Sequence, residues 1–175
     1  LEHAGLGREV TVAGVYDHAT GKAQETWSAT QTCGDRYPQG RFLADGSAAV
    51  VLHGYTRYPE LAFVRDGGTI TVASLRHPGA DYLSSVAGTV EAVRWQAPDG
   101  QEIEGLLCLP DRPGPHPLIV HVHGGPVWAY RDRWSMGYVY TPLMVSRGYA
   151  VLHPNPRGSG GRGQDFARAV LGDMG

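Results

Sequence analysis

The sequence predicts two successive architectures: an antiparallel β region, followed by an α/β region built on a mainly parallel sheet. Three observations predict it. Residues 8–76 alternate short β-branched runs with Asp-Gly and Gly-Gly turn pairs. From Val86 onward the order becomes strand, helix, strand, helix, which favours parallel strands joined by right-handed crossovers. And the apolar run Leu118–Val122 stops at His123-Gly124-Gly125-Pro126, a turn through which no strand can continue.

In the first region Val10-Thr11-Val12 and Gly14-Val15-Tyr16 read as strand, and Asp17 to Lys22 as a polar turn. Phe42-Leu43 precedes the turn Asp45-Gly46-Ser47, and Ala48 to Leu52 is the next strand. Leu61 to Val64 meets Asp66-Gly67-Gly68, and Thr69 to Val72 resumes, which is the pattern of a hairpin. Short strands at this spacing suit a sandwich, a barrel or a propeller.

In the second region Val93–Gln96 and Glu102–Leu109 flank Pro98-Asp99-Gly100-Gln101, another hairpin signal. The proline-rich stretch 110–117 leads into the strand Leu118–Val122. Trp134 to Arg147 carries apolar residues at helical spacing and stops at Arg147-Gly148. Tyr149–Leu152 is a further strand, and Gln164–Leu171 a further helix.

Composition narrows the function. The net charge of −2 excludes a basic nucleic-acid footprint, and no apolar run reaches membrane-spanning length. Cys33 and Cys108 fall in different regions without a C-x-x-C partner, so both read as free thiols in a reducing compartment, and a cytoplasmic location is expected. The chain does not begin with Met and stops four residues after the predicted helix 164–171, so a longer parent protein is expected.

Three segments carry candidate chemistry. The adjacent glycines after Leu118–Val122 expose backbone N–H groups to close approach; in α/β-hydrolases an HGG-type turn after the third sheet strand donates one N–H to the oxyanion hole. His121 and His123 share a strand face, a spacing some metal sites use, but no carboxylate adjoins them and Gly-Gly-Pro has no part in such a site. Gly158-Ser159-Gly160-Gly161-Arg162-Gly163 matches G-x-G-x-x-G and makes a nucleotide-binding enzyme the main rival. There, however, His153 to Arg157 separates the strand from the glycines. No G-x-S-x-G occurs: Arg157 stands two residues before Ser159, which reads as a loop residue capping the next helix, with no base beside it. Asp132, Asp165 and Asp173 read as loop or helix-end residues outside any triad.

Four segments in order resemble prolyl oligopeptidase-family serine peptidases, most closely the acylaminoacyl-peptidase and dipeptidyl-aminopeptidase branch. They are Pro98–Gly105, His123–Pro126, Ser146–Val151 and Pro154–Gly163. Residues 44–47 and 56–61 resemble late propeller strands more weakly. The resemblance implies the last antiparallel strands of a β-propeller over 1–85 and the first half of an α/β-hydrolase domain over 86–175. It implies a main-chain oxyanion donor at Gly125, turn geometry set by Gly124, and support of the turn by His123. The second donor and the family's Ser, Asp and His would lie beyond residue 175, so residues 1–175 alone should be inactive. His123 stands where other branches carry Tyr, and Pro156 where an aromatic residue is common. The implied parent cleaves short peptides or acyl-peptides through an acyl-enzyme, needs no metal or organic cofactor, and binds neither nucleic acid nor membrane. A homo-oligomer is compatible with it. A catalytically silent scaffold relative is the remaining alternative.

Overall fold

Turn chemistry organises the first part of the chain. In the computed structural model, which describes residues 11–34 and 39–172, Asp66 and Gly67 have φ of 48° and 77°. Two successive positive φ values suit a two-residue hairpin turn, whose twist matches that of the flanking strands. They join β6 (Glu60–Arg65) to β7 (Gly68–Ser74). The earlier strands are β1 (Thr11–Asp17), β2 (Lys22–Ala29), β3 (Thr32–Cys33), β4 (Gly40–Phe42) and β5 (Ala48–His53). Val10 and Asp173, both named above, lie outside the described residues.

β1 and β2 form a separate hairpin whose turn is held by the Asp17 carboxylate, which accepts from the Ala19 N–H at 2.8 Å and the Thr20 hydroxyl at 2.7 Å. In the second sheet β3 and β4 both pair with β5, and β6 and β7 follow, all antiparallel. Period-2 alternation puts Ala48, Val50 and Leu52 on one face of β5, and the register sets Ala62 and Val64 of β6 beside them. That face buries against Trp27 and Cys33 in one apolar cluster.

The third sheet is mixed, in the order β10-β11-β9-β8, with β8 (Thr89–Gln96), β9 (Glu102–Leu109), β10 (Leu118–Val120) and β11 (Ala150–Asn155). Here the expectation of a mainly parallel sheet is corrected: among the described residues only β10 and β11 pair parallel. The Pro98–Gln101 turn is far too short for a crossover, so β8 and β9 must be antiparallel, and β9 is also antiparallel to β11. β10 reaches β11 through a helical crossover, as parallel strands require.

Three helices accompany this sheet: α1 (Ala80–Val86), α2 (Tyr140–Ser146) and α3 (Gln164–Arg168). The helix expected over 134–147 is divided. A 3-10 turn covers Trp134–Gly137, with Ser135 and Met136 at φ of 50° and 55°, and Tyr138 is extended before α2 begins. The core here collects Leu106, Cys108, Tyr130, Met136, Val145 and Val151.

Tyr55, from the antiparallel region, belongs to that same core and ties the two regions together. Its hydroxyl donates to the Ala87 carbonyl at 2.9 Å, and its N–H to the Asp132 carboxylate at 2.7 Å. The Trp134 N–H donates to His53 Nδ1 at 3.0 Å. Loop 130–136 is therefore gripped by the antiparallel sheet on one side and by the mixed sheet on the other.

Candidate functional site

The two loops that leave the parallel strands meet at their carboxyl ends. After β10 comes His123-Gly124-Gly125-Pro126; after β11 comes the glycine-rich stretch 158–163. Gly124 and Gly125 are exposed, and neither N–H has a hydrogen-bond partner among the described residues. Gly125 has φ of 129°, and a Cβ there would lie 3.2 Å from Trp128 Cβ, so this position demands glycine. Gly124 differs: nothing among the described residues lies within 4 Å of an added Cβ, which leaves that side of the turn open.

Ser159 and His123 come together, against the expectation that no base stands beside Ser159. His123 Nε2 lies 2.9 Å from Ser159 Oγ, and His123 Nδ1 lies 3.0 Å from the Gly124 carbonyl oxygen. A carbonyl only accepts, so Nδ1 carries the ring proton; in the neutral ring Nε2 then accepts from the Ser159 hydroxyl. Ser159 is only 1% exposed, so no substrate carbonyl can reach its Oγ. Two further ties cross between the loops. The Gly160 N–H donates to the Trp128 carbonyl at 3.1 Å. The Asn155 side chain accepts from the Tyr130 N–H at 2.7 Å and donates to the Tyr130 carbonyl at 3.0 Å.

Behind the turn lies an aromatic layer. The His123 ring meets Trp128 and Tyr130 edge-on at 5.4 and 5.3 Å. His121 is bracketed by two phenols, Tyr130 at Nδ1 (3.0 Å) and Tyr140 at Nε2 (2.9 Å). Burial holds the His121 pKa below its ordinary value. His153, 0% exposed, is pushed down to about 3 by burial first and then by His121 and Arg133. Its Nε2 lies 3.3 Å from Thr141 Oγ1, and its Nδ1 has no partner among the described residues. The ring nitrogens of His121 and His123 are thus engaged by protein groups. No group of three or more metal-ligating side chains occurs among the described residues.

The glycine-rich loop is occupied internally as well. The N–H of Gly158 donates to the Phe166 carbonyl and that of Ser159 to the Pro156 carbonyl. Arg162 donates to the Glu102 carbonyl at 2.6 Å and Arg157 to the Asp99 carboxylate at 2.5 Å. β11 runs on through Pro154 to Asn155, so only Pro156 and Arg157 separate strand from glycines, fewer than the sequence suggests. Pro154 lies beyond the stretch paired with β10 and opposite Gly105, where an added Cβ would come within 2.9 Å of the His153 carbonyl oxygen. Beside the turn, Pro126, Val127, Gly160, Gln164, Ala167 and Val170 line a largely apolar groove of about 660 Å³.

Several known proteins with related sequences and folds are peptidases. Peptidase YuxL of Bacillus subtilis, described as uncharacterized, is 37% identical over 88 residues, covering 49% of this chain and 13% of that protein. Dipeptidyl aminopeptidase BIII of Pseudoxanthomonas mexicana is 51% identical over 59 residues, 34% of this chain and 8% of that protein. The acylaminoacyl peptidase of Pyrococcus horikoshii superposes with a TM-score of 0.66 at 27% identity, over 86% of this chain and 23% of that one. The chain spans less than a quarter of the length of these relatives. A strand-end glycine turn braced by a second loop thus occurs here in a chain of peptidase kinship. Residues 134–175 match the model of the prolyl oligopeptidase family.

Proposed function

We propose that this chain is the junction of a two-domain serine peptidase, with closing propeller strands over 1–85 and the opening of an α/β-hydrolase domain over 86–175. In this reading the Gly125 N–H stabilises the oxyanion during acyl transfer from short peptides or acyl-peptides. The observation that carries it is the exposed Gly124-Gly125 turn, whose N–H groups have no partner among the described residues. It sits at the carboxyl end of a parallel strand, where open α/β sheets bind their ligands. β10 is also the third strand of its sheet in chain order, the strand after which α/β-hydrolases place this donor. The apolar groove alongside suits the non-reacting part of a substrate.

The turn acts on charge that develops in the reaction. As the scissile carbonyl becomes tetrahedral its oxygen gains negative charge, and a preorganised N–H there is worth about 3–4 kcal/mol. His123 holds the turn from behind and Gly124 keeps its approach clear. The rival nucleotide reading loses support because the N–H groups of Gly158, Ser159 and Gly160 already have carbonyl partners, leaving them unavailable to a pyrophosphate.

The test uses the whole protein with a fluorophosphonate probe and an aminoacyl-p-nitroanilide. Covalent labelling together with hydrolysis is expected, whereas residues 1–175 alone should do neither. Retention on a dinucleotide matrix without labelling or hydrolysis would overturn the peptidase reading, and a folded protein that does none of the three would point to the silent scaffold.

A further inference from the structure

The carbonyl that His123 binds is the far end of the peptide unit whose N–H is the proposed oxyanion donor. A trans peptide is planar and points its C=O and N–H in opposite directions. Fixing the Gly124 carbonyl therefore fixes where the Gly125 N–H points. Glycine on both sides gives this plane unusual freedom to rotate, so it needs an external anchor. His123 Nδ1–H supplies one at 3.0 Å, and the His123 ring is itself anchored by the buried Ser159 hydroxyl at 2.9 Å. Ser159 is held in turn by its own N–H, which donates to the Pro156 carbonyl at 3.0 Å.

We propose that Ser159 is a positioning residue for catalysis: its hydroxyl locks the His123 ring, which locks the Gly124–Gly125 peptide plane with its N–H turned out to the oxyanion. The relay has a second effect. Hydrogen bonds in series polarise one another, so a proton donated to the Gly124 carbonyl makes the Gly125 N–H a stronger donor. The same assignment gives the Gly158–Gly163 motif a purpose without a nucleotide. It carries Ser159 to the back of the turn and lets the Gly160 N–H pin Trp128 alongside.

This inference rests on the peptidase reading, and the experiment separates the two. Ser159→Ala, His123→Gln and the double variant are made in the whole protein. Each is measured for kcat and KM, for inhibition by a peptide aldehyde, which becomes tetrahedral when bound, and for inhibition by a non-hydrolysable amide, which does not. Ser159→Ala should lower kcat by roughly tenfold, less than the loss of a whole oxyanion donor, and shift KM by less than about twofold. The aldehyde should weaken by the same factor as kcat/KM and the amide hardly at all. The double variant should lose little more than His123→Gln, since both residues act on one peptide plane.

Unchanged kcat in Ser159→Ala, with the wild type active and labelled, would overturn the relay and leave the peptidase reading standing. Equal weakening of aldehyde and amide would also overturn it, as a structural loss. If Ser159→Ala does not fold, His123→Gln decides alone, and full kcat in that variant refutes the relay. A phosphonate adduct mapped to Ser159 would make it a nucleophile and refute its positioning role. A wild type that neither labels nor hydrolyses would remove the reading on which the relay depends.

Discussion

Replacing Gly125 by alanine perturbs one atom at the centre of the proposed chemistry. The backbone there has φ of 129°, and the new Cβ would stand 3.2 Å from Trp128 Cβ. A non-glycine residue in such a conformation carries about 1–3 kcal/mol of strain. The turn is exposed, so it should relax by rotating the Gly124–Gly125 peptide rather than bear that strain. Rotation takes the N–H off the oxyanion, and kcat should fall roughly a hundredfold or more, with a much smaller change in KM. Gly125→Val should be at least as damaging. Gly160→Ala is the matched comparison: its Cβ would meet the Val127 carbonyl oxygen at an ordinary 3.5 Å and the N–H to Trp128 is retained. It should cost less than about threefold in kcat, the scale of a tolerated surface change. The assay is steady-state hydrolysis of an aminoacyl-p-nitroanilide by the whole protein, with circular dichroism to establish folding. Full kcat in Gly125→Ala beside an inactive Gly160→Ala would refute the reasoning and return attention to the glycine-rich loop.

Three further outcomes are expected of the whole protein. His153 is held neutral down to about pH 3, while its unfolded counterpart takes up a proton near pH 6.5. Stability should therefore be lost as pH falls through that interval, by as much as about 5 kcal/mol from this group. His153→Leu should move the acid-unfolding midpoint to lower pH, and an unmoved midpoint would contradict this. Tyr55→Phe removes the bond to the Ala87 carbonyl and leaves that buried acceptor unpaired, so urea unfolding should show a loss of about 1–3 kcal/mol; no loss would mean that this tie between the two regions is idle. Cys33 and Cys108 are buried, and burial pushes the Cys108 thiol up to about 12, so neither should react with an aromatic disulfide reagent until urea unfolds the chain. Rapid labelling of either in the native protein would contradict the packing.

Local chemistry was the legible part of this sequence. The Asp66-Gly67 hairpin, the Pro98–Gln101 turn and β9 at Glu102–Leu109 all appear where residue pattern places them, because turn residues and short-range alternation decide them. The His123–Pro126 turn was equally plain. What resisted was decided at long range. Ser159 and His123 are 36 residues apart and meet only because β10 and β11 pair in parallel and release their loops at the same end. α1 went unread because only Ala80 and Leu83 of its seven residues are buried, too few for a period to show. The division of 134–147 comes from left-handed backbone at Ser135 and Met136, residues with no special tendency to adopt it. β11 continues through Pro154 because that residue lies past β10 and faces a glycine, circumstances known only once the sheet is assembled.

The most direct test of the account is a crystal structure of the whole protein carrying a peptide boronate or aldehyde on the serine that the peptidase reading requires. The account predicts the oxyanion oxygen about 2.7–3.1 Å from the Gly125 nitrogen, the geometry of a working donor, with His123 still bridging Ser159 and the Gly124 carbonyl. A tetrahedral adduct whose oxygen is held by other donors, with the Gly125 N–H turned elsewhere, would contradict it.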